Sequence, residues 1–329
     1  MQSGKKRESP KDVGRRLINE EILHNWVVER KDYNALTIQS CSVSVNDGEW
    51  SPEKNVVATD DEVRRQLNLD AGNIFAPQPW TYTKEEKENV VSLKARYTFN
   101  LLEDIKGDLY LAAESPDIFK VYVNGSLVVP TDQTYKDRAF IMYEIKDKVR
   151  LGKNEVILST DSYGVLTNIE SIYIIGDFKL KAIESGFGIA KEDNILLGDW
   201  TKQGYPYYSG AMNYKTSFEL ERGILNVDNR IKLHLNQLMG IAFKVFVNGK
   251  EAGTLGWQPY ELDITEYIHT GSNEVKVEVM NSLQNLLGPH QLQDIEGIVT
   301  PGSFYTEKAI KFTPSGIFDD FRHTSHACR

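Results

Sequence analysis

Val121-Tyr122-Val123-Asn124-Gly125 recurs downstream as Val245-Phe246-Val247-Asn248-Gly249. In both words an alternating strand runs into Asn-Gly. These two residue types tolerate positive φ, so the pair sets a type I′ turn whose twist matches that of the strands it joins. Around this shared hairpin the flanks also repeat. Upstream, Tyr97-Thr98-Phe99 is answered by Thr216-Ser217-Phe218. Downstream, Gly152-Lys153-Asn154-Glu155-Val156 is answered by Gly271-Ser272-Asn273-Glu274-Val275. Several elements repeating in one order mark two copies of a single supersecondary plan, roughly over residues 85–180 and 195–315.

The residues between these words alternate with the period of a half-buried strand. From Val91 to Leu101 the odd positions are Val91, Leu93, Ala95, Tyr97, Phe99 and Leu101, and the even ones are polar. Phe119-Val121-Val123, Ile231-Leu233-Leu235, Phe243-Val245-Val247 and Val275-Val277-Val279 follow the same rule. Helical periodicity is confined to a short helix expected over Asp60–Leu67 and one turn at Thr265–His269. The fold class is therefore all-β: two tandem β-sandwiches with few short helices. The expected organisation is a polar tail (1–14), a first sandwich (15–180), a connection (181–194), a second sandwich (195–315) and a polar, frayed tail (316–329). Trp26–Val28, Leu36–Ile38 and Cys41–Val45 are expected to complete the first sandwich.

At 329 residues the chain is long enough for two cores. A 40% hydrophobic and 26% charged content is that of a globular protein. A net charge of −9 and a pI near 5.3 argue against a phosphate-tracking surface, so no nucleic-acid partner is expected. Cys41 and Cys328 lie near opposite ends with no Cys-x-x-Cys, which indicates no disulfide framework. There is no apolar run of about 18 residues and no secretory leader in the first residues, so no membrane partner and a cytoplasmic location are expected, or a chain cut from a longer protein.

The second copy carries a resemblance to the sugar-binding jelly-roll domain of glycoside hydrolase family 2 and to galactose-binding-like modules. Its residues are Tyr214-Lys215-Thr216-Ser217-Phe218, then Val245 to Gly253, then Pro259-Tyr260-Glu261-Leu262-Asp263-Ile264-Thr265, then Gly271 to Val275. The flanks Asp199 to Gly210 and Asn285-Leu286-Leu287-Gly288-Pro289-His290 resemble the C-terminal part of large bacterial glycoside hydrolases. In that pattern a second His follows Gly-Pro-His; here Gln291 stands there, which leaves no basis for a role needing a His pair. The resemblance implies jelly-roll sandwiches, carbohydrate binding and a role in carbohydrate metabolism. It also implies two partners: a glycan or oligosaccharide, and a catalytic domain lying upstream.

Sugars present polar edges and apolar C–H faces, so their sites combine flat aromatic rings with convergent amides and hydroxyls. Two stretches offer this mix: Trp200, Tyr205, Tyr207 and Tyr208, and then Trp257, Tyr260, Asn281, Asn285 and His290. Each can be read as ligand contact or as packing, including packing against a neighbouring domain. Asn124, Asn248 and Asp263 are read as turn formers. Glycoside hydrolysis uses two carboxylates across a cleft, but among 47 acids none stands out, and Glu170, Glu219 and Glu221 read as solvated strand faces. Gly186-Phe187-Gly188 lacks the rest of a dinucleotide fingerprint. His323, His326 and Cys328 are ligand-like types without a supporting frame, so no cofactor and no metal are expected. Three functions remain: a carbohydrate-binding accessory region of a glycoside hydrolase, a structural spacer docked on a catalytic domain, or a small carbohydrate-active hydrolase.

Overall fold

A computed structural model describes residues 16–69, 79–226, 228–288 and 310–327. The fold is all-β, with antiparallel sheets and three short helices among the described residues. The alternation reads directly into burial. In the strand Val91–Leu101, Leu93, Ala95, Tyr97, Phe99 and Leu101 are buried and the residues between them are half-exposed. Both Asn-Gly words are hairpins with φ of 48° and 81° at Asn124 and Gly125, and 50° and 78° at Asn248 and Gly249. Val123 pairs with Ser126, and Val247 with Lys250.

Two hydrophobic cores form. The first lies under two sheets. One sheet contains Leu109–Ala113, Ile172–Gly176 and Asn34–Ile38; the other is centred on Val91–Leu101 and Gly152–Tyr163. The helix Val56–Gln66 closes one side, one turn longer at its start than its periodicity predicts because Asn55 caps it by accepting from the Val57 N–H at 3.0 Å. Asp60 on that helix accepts from Arg64 Nε at 2.8 Å, from the Tyr163 hydroxyl at 2.7 Å and from Ile169 N–H at 2.8 Å. This buried node ties the helix to the loop that carries Glu170. Cys41 is a free, buried thiol in this core. Cys328 lies outside the described residues.

The second core lies under Ala211–Leu220, Gly271–Met280 and Ala242–Val247 on one side. A sheet ordered Arg16–Leu23, Phe321–Ala327, Asn229–His234, Glu261–Asp263 lies on the other. Three expectations about boundaries are corrected here. Val27–Arg30 does not complete the first sandwich: it pairs with Ala211–Leu220, Arg30 opposite Met212, and Trp26 packs edge-on against Phe321 at 4.7 Å. Residues 181–194 are not a bare connection. Lys179–Ile183 and Gly186–Ala190 form a hairpin whose second strand runs parallel to Val91–Leu101. The C-terminal stretch is not a frayed tail: Phe321–Ala327 sits between Arg16–Leu23 and Asn229–His234. It is held there because Phe321, His323 and Ser325 are buried, on the period of a strand.

The chain therefore starts the second sandwich, leaves it after Arg30 to build the whole first sandwich, and returns at Ala211. The first sandwich is an insertion between two neighbouring strands of the second. No described helix is long and apolar enough to cross a membrane.

Candidate functional site

The loop Asp199 to Gly210 leads back into the second sandwich, and its four rings turn inward. Trp200, Tyr205 and Tyr208 belong to the second core, and Tyr207 belongs to the first. The Tyr208 hydroxyl donates to Ala211 O at 2.6 Å and accepts from Asp32 N–H at 3.2 Å. The Tyr205 hydroxyl donates to Glu192 at 3.2 Å, and Tyr207 stacks edge-on against Phe312 at 5.0 Å. Burial pushes the phenol pKa values of all three tyrosines up. Gly204 lets the loop come this close: with φ 102°, a Cβ there would meet Lys179 Cβ at 2.8 Å. Ligand contact by Trp200, Tyr205, Tyr207 and Tyr208 is thus corrected. With at most 4% of their surface exposed, these rings form the wedge that joins the two cores.

The second stretch divides. Asn281 braces the wedge loop: its Oδ1 accepts from Gly210 N–H at 2.9 Å and its Nδ2 donates to Tyr208 O at 2.8 Å. Asn285 is buried, donating to Thr313 O at 2.8 Å and accepting from Thr313 N–H at 2.9 Å. Both amides are spent on backbone. Tyr260 is half-buried over Phe243 at 5.2 Å. His290 lies outside the described residues. Asp263 is a turn former, accepting from Thr265 N–H at 3.0 Å and from its hydroxyl at 2.6 Å.

Trp257 remains in the open, with 82% of its surface exposed. It follows the strand Lys250–Leu255 at the end of the hairpin opposite Asn248-Gly249. Carrying the Phe243–Leu255 register outward by two residues places Ile241 across from it. Ile241 and Met239 are exposed as well, so three large apolar side chains of the second sandwich face solvent. The indole lies beyond Leu255, the last paired residue of the strand.

Sequence reading missed two charged sites. At the seam, Arg30 donates through Nε to Glu192 Oε1 at 2.8 Å, through Nη2 to Asp177 Oδ1 at 2.8 Å and through Nη1 to Asp32 O. A lone arginine in a short strand gives no signal of this, because its partners lie far along the chain. On the first sandwich, Glu170 and Glu114 line a pocket with Tyr97 and Asn168. Protein crowding the Glu170 carboxyl, which stays open to solvent on one side, and then the charge of Glu114 push its pKa up to about 7. Glu114 is raised for the same reason, burial first. The pocket has room of only about 10 Å³, that of a single water, so no sugar ring fits between these acids. Among the described residues no group of three or more His, Cys, Asp or Glu is arranged to hold a metal ion.

No protein-family model matches this chain. It is 36% identical over 100 residues to a protein of Formosa agariphila named "Putative beta-glucuronidase". The match covers 29% of this chain and 8% of that one. A second protein of that organism and name is 30% identical over 120 residues, 32% of this chain and 14% of its own. The chain thus matches only a small part of each of these relatives. Among solved structures, a rhamnosidase from Novosphingobium sp. PP1Y overlaps 71% of this chain and 22% of its own at 16% identity, with a TM-score of 0.32. Sequence similarity to the two Formosa agariphila proteins is partial and local.

Proposed function

We propose that this chain is a non-catalytic accessory region of a glycoside-hydrolase-type protein, and that it holds a glycan against Trp257. The observation that carries the reading is the exposed indole of Trp257. A flat, solvated aromatic face is what the C–H face of a sugar ring needs, and exposing one costs a folded protein solubility. The partial match to much longer proteins named for glucuronidase activity supports a carbohydrate setting. The one-water room between Glu114 and Glu170 leaves that pair of acids unsuited to flank a glycosidic bond.

Trp80 is also exposed, in the short turn Pro79–Thr81, which makes it the control. Titration of a glycan panel should quench tryptophan fluorescence in the parent and in Trp80→Ala. Trp257→Ala should lose the quench and weaken binding about 10-fold, or ~1.4 kcal/mol, with an unchanged melting temperature. Undiminished glycan affinity in Trp257→Ala would rule the site out. The exposure of Ile241 and Met239 favours a second reading, a surface docked on a catalytic domain. That reading gains if no glycan binds and Trp257→Ala instead weakens association with a separately expressed catalytic domain.

A further inference from the structure

We infer that the cleft beside the Arg30 node is a second binding site, selective for a small carboxylated sugar. The cleft encloses about 350 Å³ and is lined by Ile105, Lys106, Gly107, Asp177, Lys191 and Glu192. That volume lies at the lower end of the range for small-molecule sites and suits one or two sugar rings. It has no aromatic wall, so the C–H stacking available at Trp257 is absent, and recognition has to come from charge.

The charge balance of the cleft favours an anion. Its two acids are already committed. Glu192 takes Arg30 on both oxygens, at 2.8 and 3.1 Å, and the Tyr205 hydroxyl on one. Asp177 takes Arg30 on Oδ1 at 2.8 Å and the Asp108 N–H on Oδ2 at 3.1 Å. The two ammonium groups are uncommitted: among the described residues neither Lys106 nor Lys191 has an ion-pair partner. Glu103 is engaged by the Lys181 ammonium and by the Lys191 backbone N–H. Lys146 adds a third cation at the rim, donating to Lys106 O. Arg30 cancels one of the two acid charges, and Lys106 and Lys191 cancel the other and leave the cleft one positive charge in excess, in a protein of net charge −9. A carboxylate on a sugar ring supplies the missing counter-charge, and two ammonium groups can hold its two oxygens.

The sugar part of this inference rests on the proposed function; the anionic part rests on the cleft alone. Calorimetric titration of the full chain with glucuronate, glucose and inorganic phosphate separates them. Glucuronate should bind, more weakly as salt rises, and any glucose binding should be independent of the two lysines. Lys106→Gln/Lys191→Gln should lose glucuronate affinity at least 10-fold, while Trp80→Ala keeps it within 2-fold. Glucose binding that the double lysine variant weakens as much as glucuronate binding, or full glucuronate affinity in that variant, overturns the site. Phosphate binding as tightly as glucuronate and competing with it overturns the sugar assignment. Neutral glycans that bind through Trp257 while glucuronate ignores the lysines would sink this inference and leave the proposed function standing.

Discussion

Asn248 donates from its side-chain amide to Oδ1 of Asn273 at 2.8 Å, and in the other sandwich Asn124 donates to Asn154 at the same 2.8 Å. The bond joins the two most repeated words of the sequence. Asn248 Oδ1 accepts from Glu274 N–H, and Asn273 Nδ2 donates to His269 O and Gly271 O. Glu155, Arg150 and Gly152 play the same parts in the first copy. The asparagines are therefore more than turn formers: each pair locks its hairpin to the loop before the neighbouring strand.

Substitution separates the two jobs of Asn248. Asn248→Gly keeps the positive-φ backbone and loses only the side-chain bonds. Asn248→Val also forces a β-branched residue into φ 50° and should cost the fold about 1–2 kcal/mol through strain. Asn273→Ala leaves buried backbone groups unpaired and should cost about 2–3 kcal/mol. Urea unfolding is the measurement. Equal midpoints for Asn248→Gly and Asn248→Val would show that the turn conformation contributes nothing.

Glu170 predicts a pH dependence of stability. Its folded pKa of about 7 lies above the ordinary carboxylate value, so the folded state holds the proton more tightly than the unfolded one. Stability contributed by this group is full below the unfolded pKa and declines as pH rises through about 4.5 to 7. Glu170→Gln should flatten that decline and raise the melting temperature above pH 7. A parallel pair of curves for parent and variant would rule out a raised Glu170.

The inserted topology predicts which strands depend on the N-terminus. Removing residues 1–30 takes Leu23 and Trp26 out of the second core and bares the edge of Ala211–Leu220. Hydrogen exchange should show that strand losing protection while Val91–Leu101 keeps it. The milder Leu23→Ala should cost the second sandwich about 2–5 kcal/mol, since the side chain is fully buried. Unchanged protection of residues 211–220 after the truncation would contradict the strand pairing.

Sequence alone determined the all-β class, the faces of the strands and both hairpins. Each of these is local: a period of two and an Asn-Gly pair act through neighbours a few residues apart. Tertiary structure alone decided the rest. Aromatic loops read the same whether they face water or a core, so only the packed fold shows Trp200 and Tyr208 inside and Trp257 outside. Arg30 opposite Met212, and Phe321–Ala327 between two earlier strands, are pairings across most of the chain. No local pattern encodes a partner so distant; the choice falls to whichever edge leaves the fewest backbone groups and the least apolar surface uncovered.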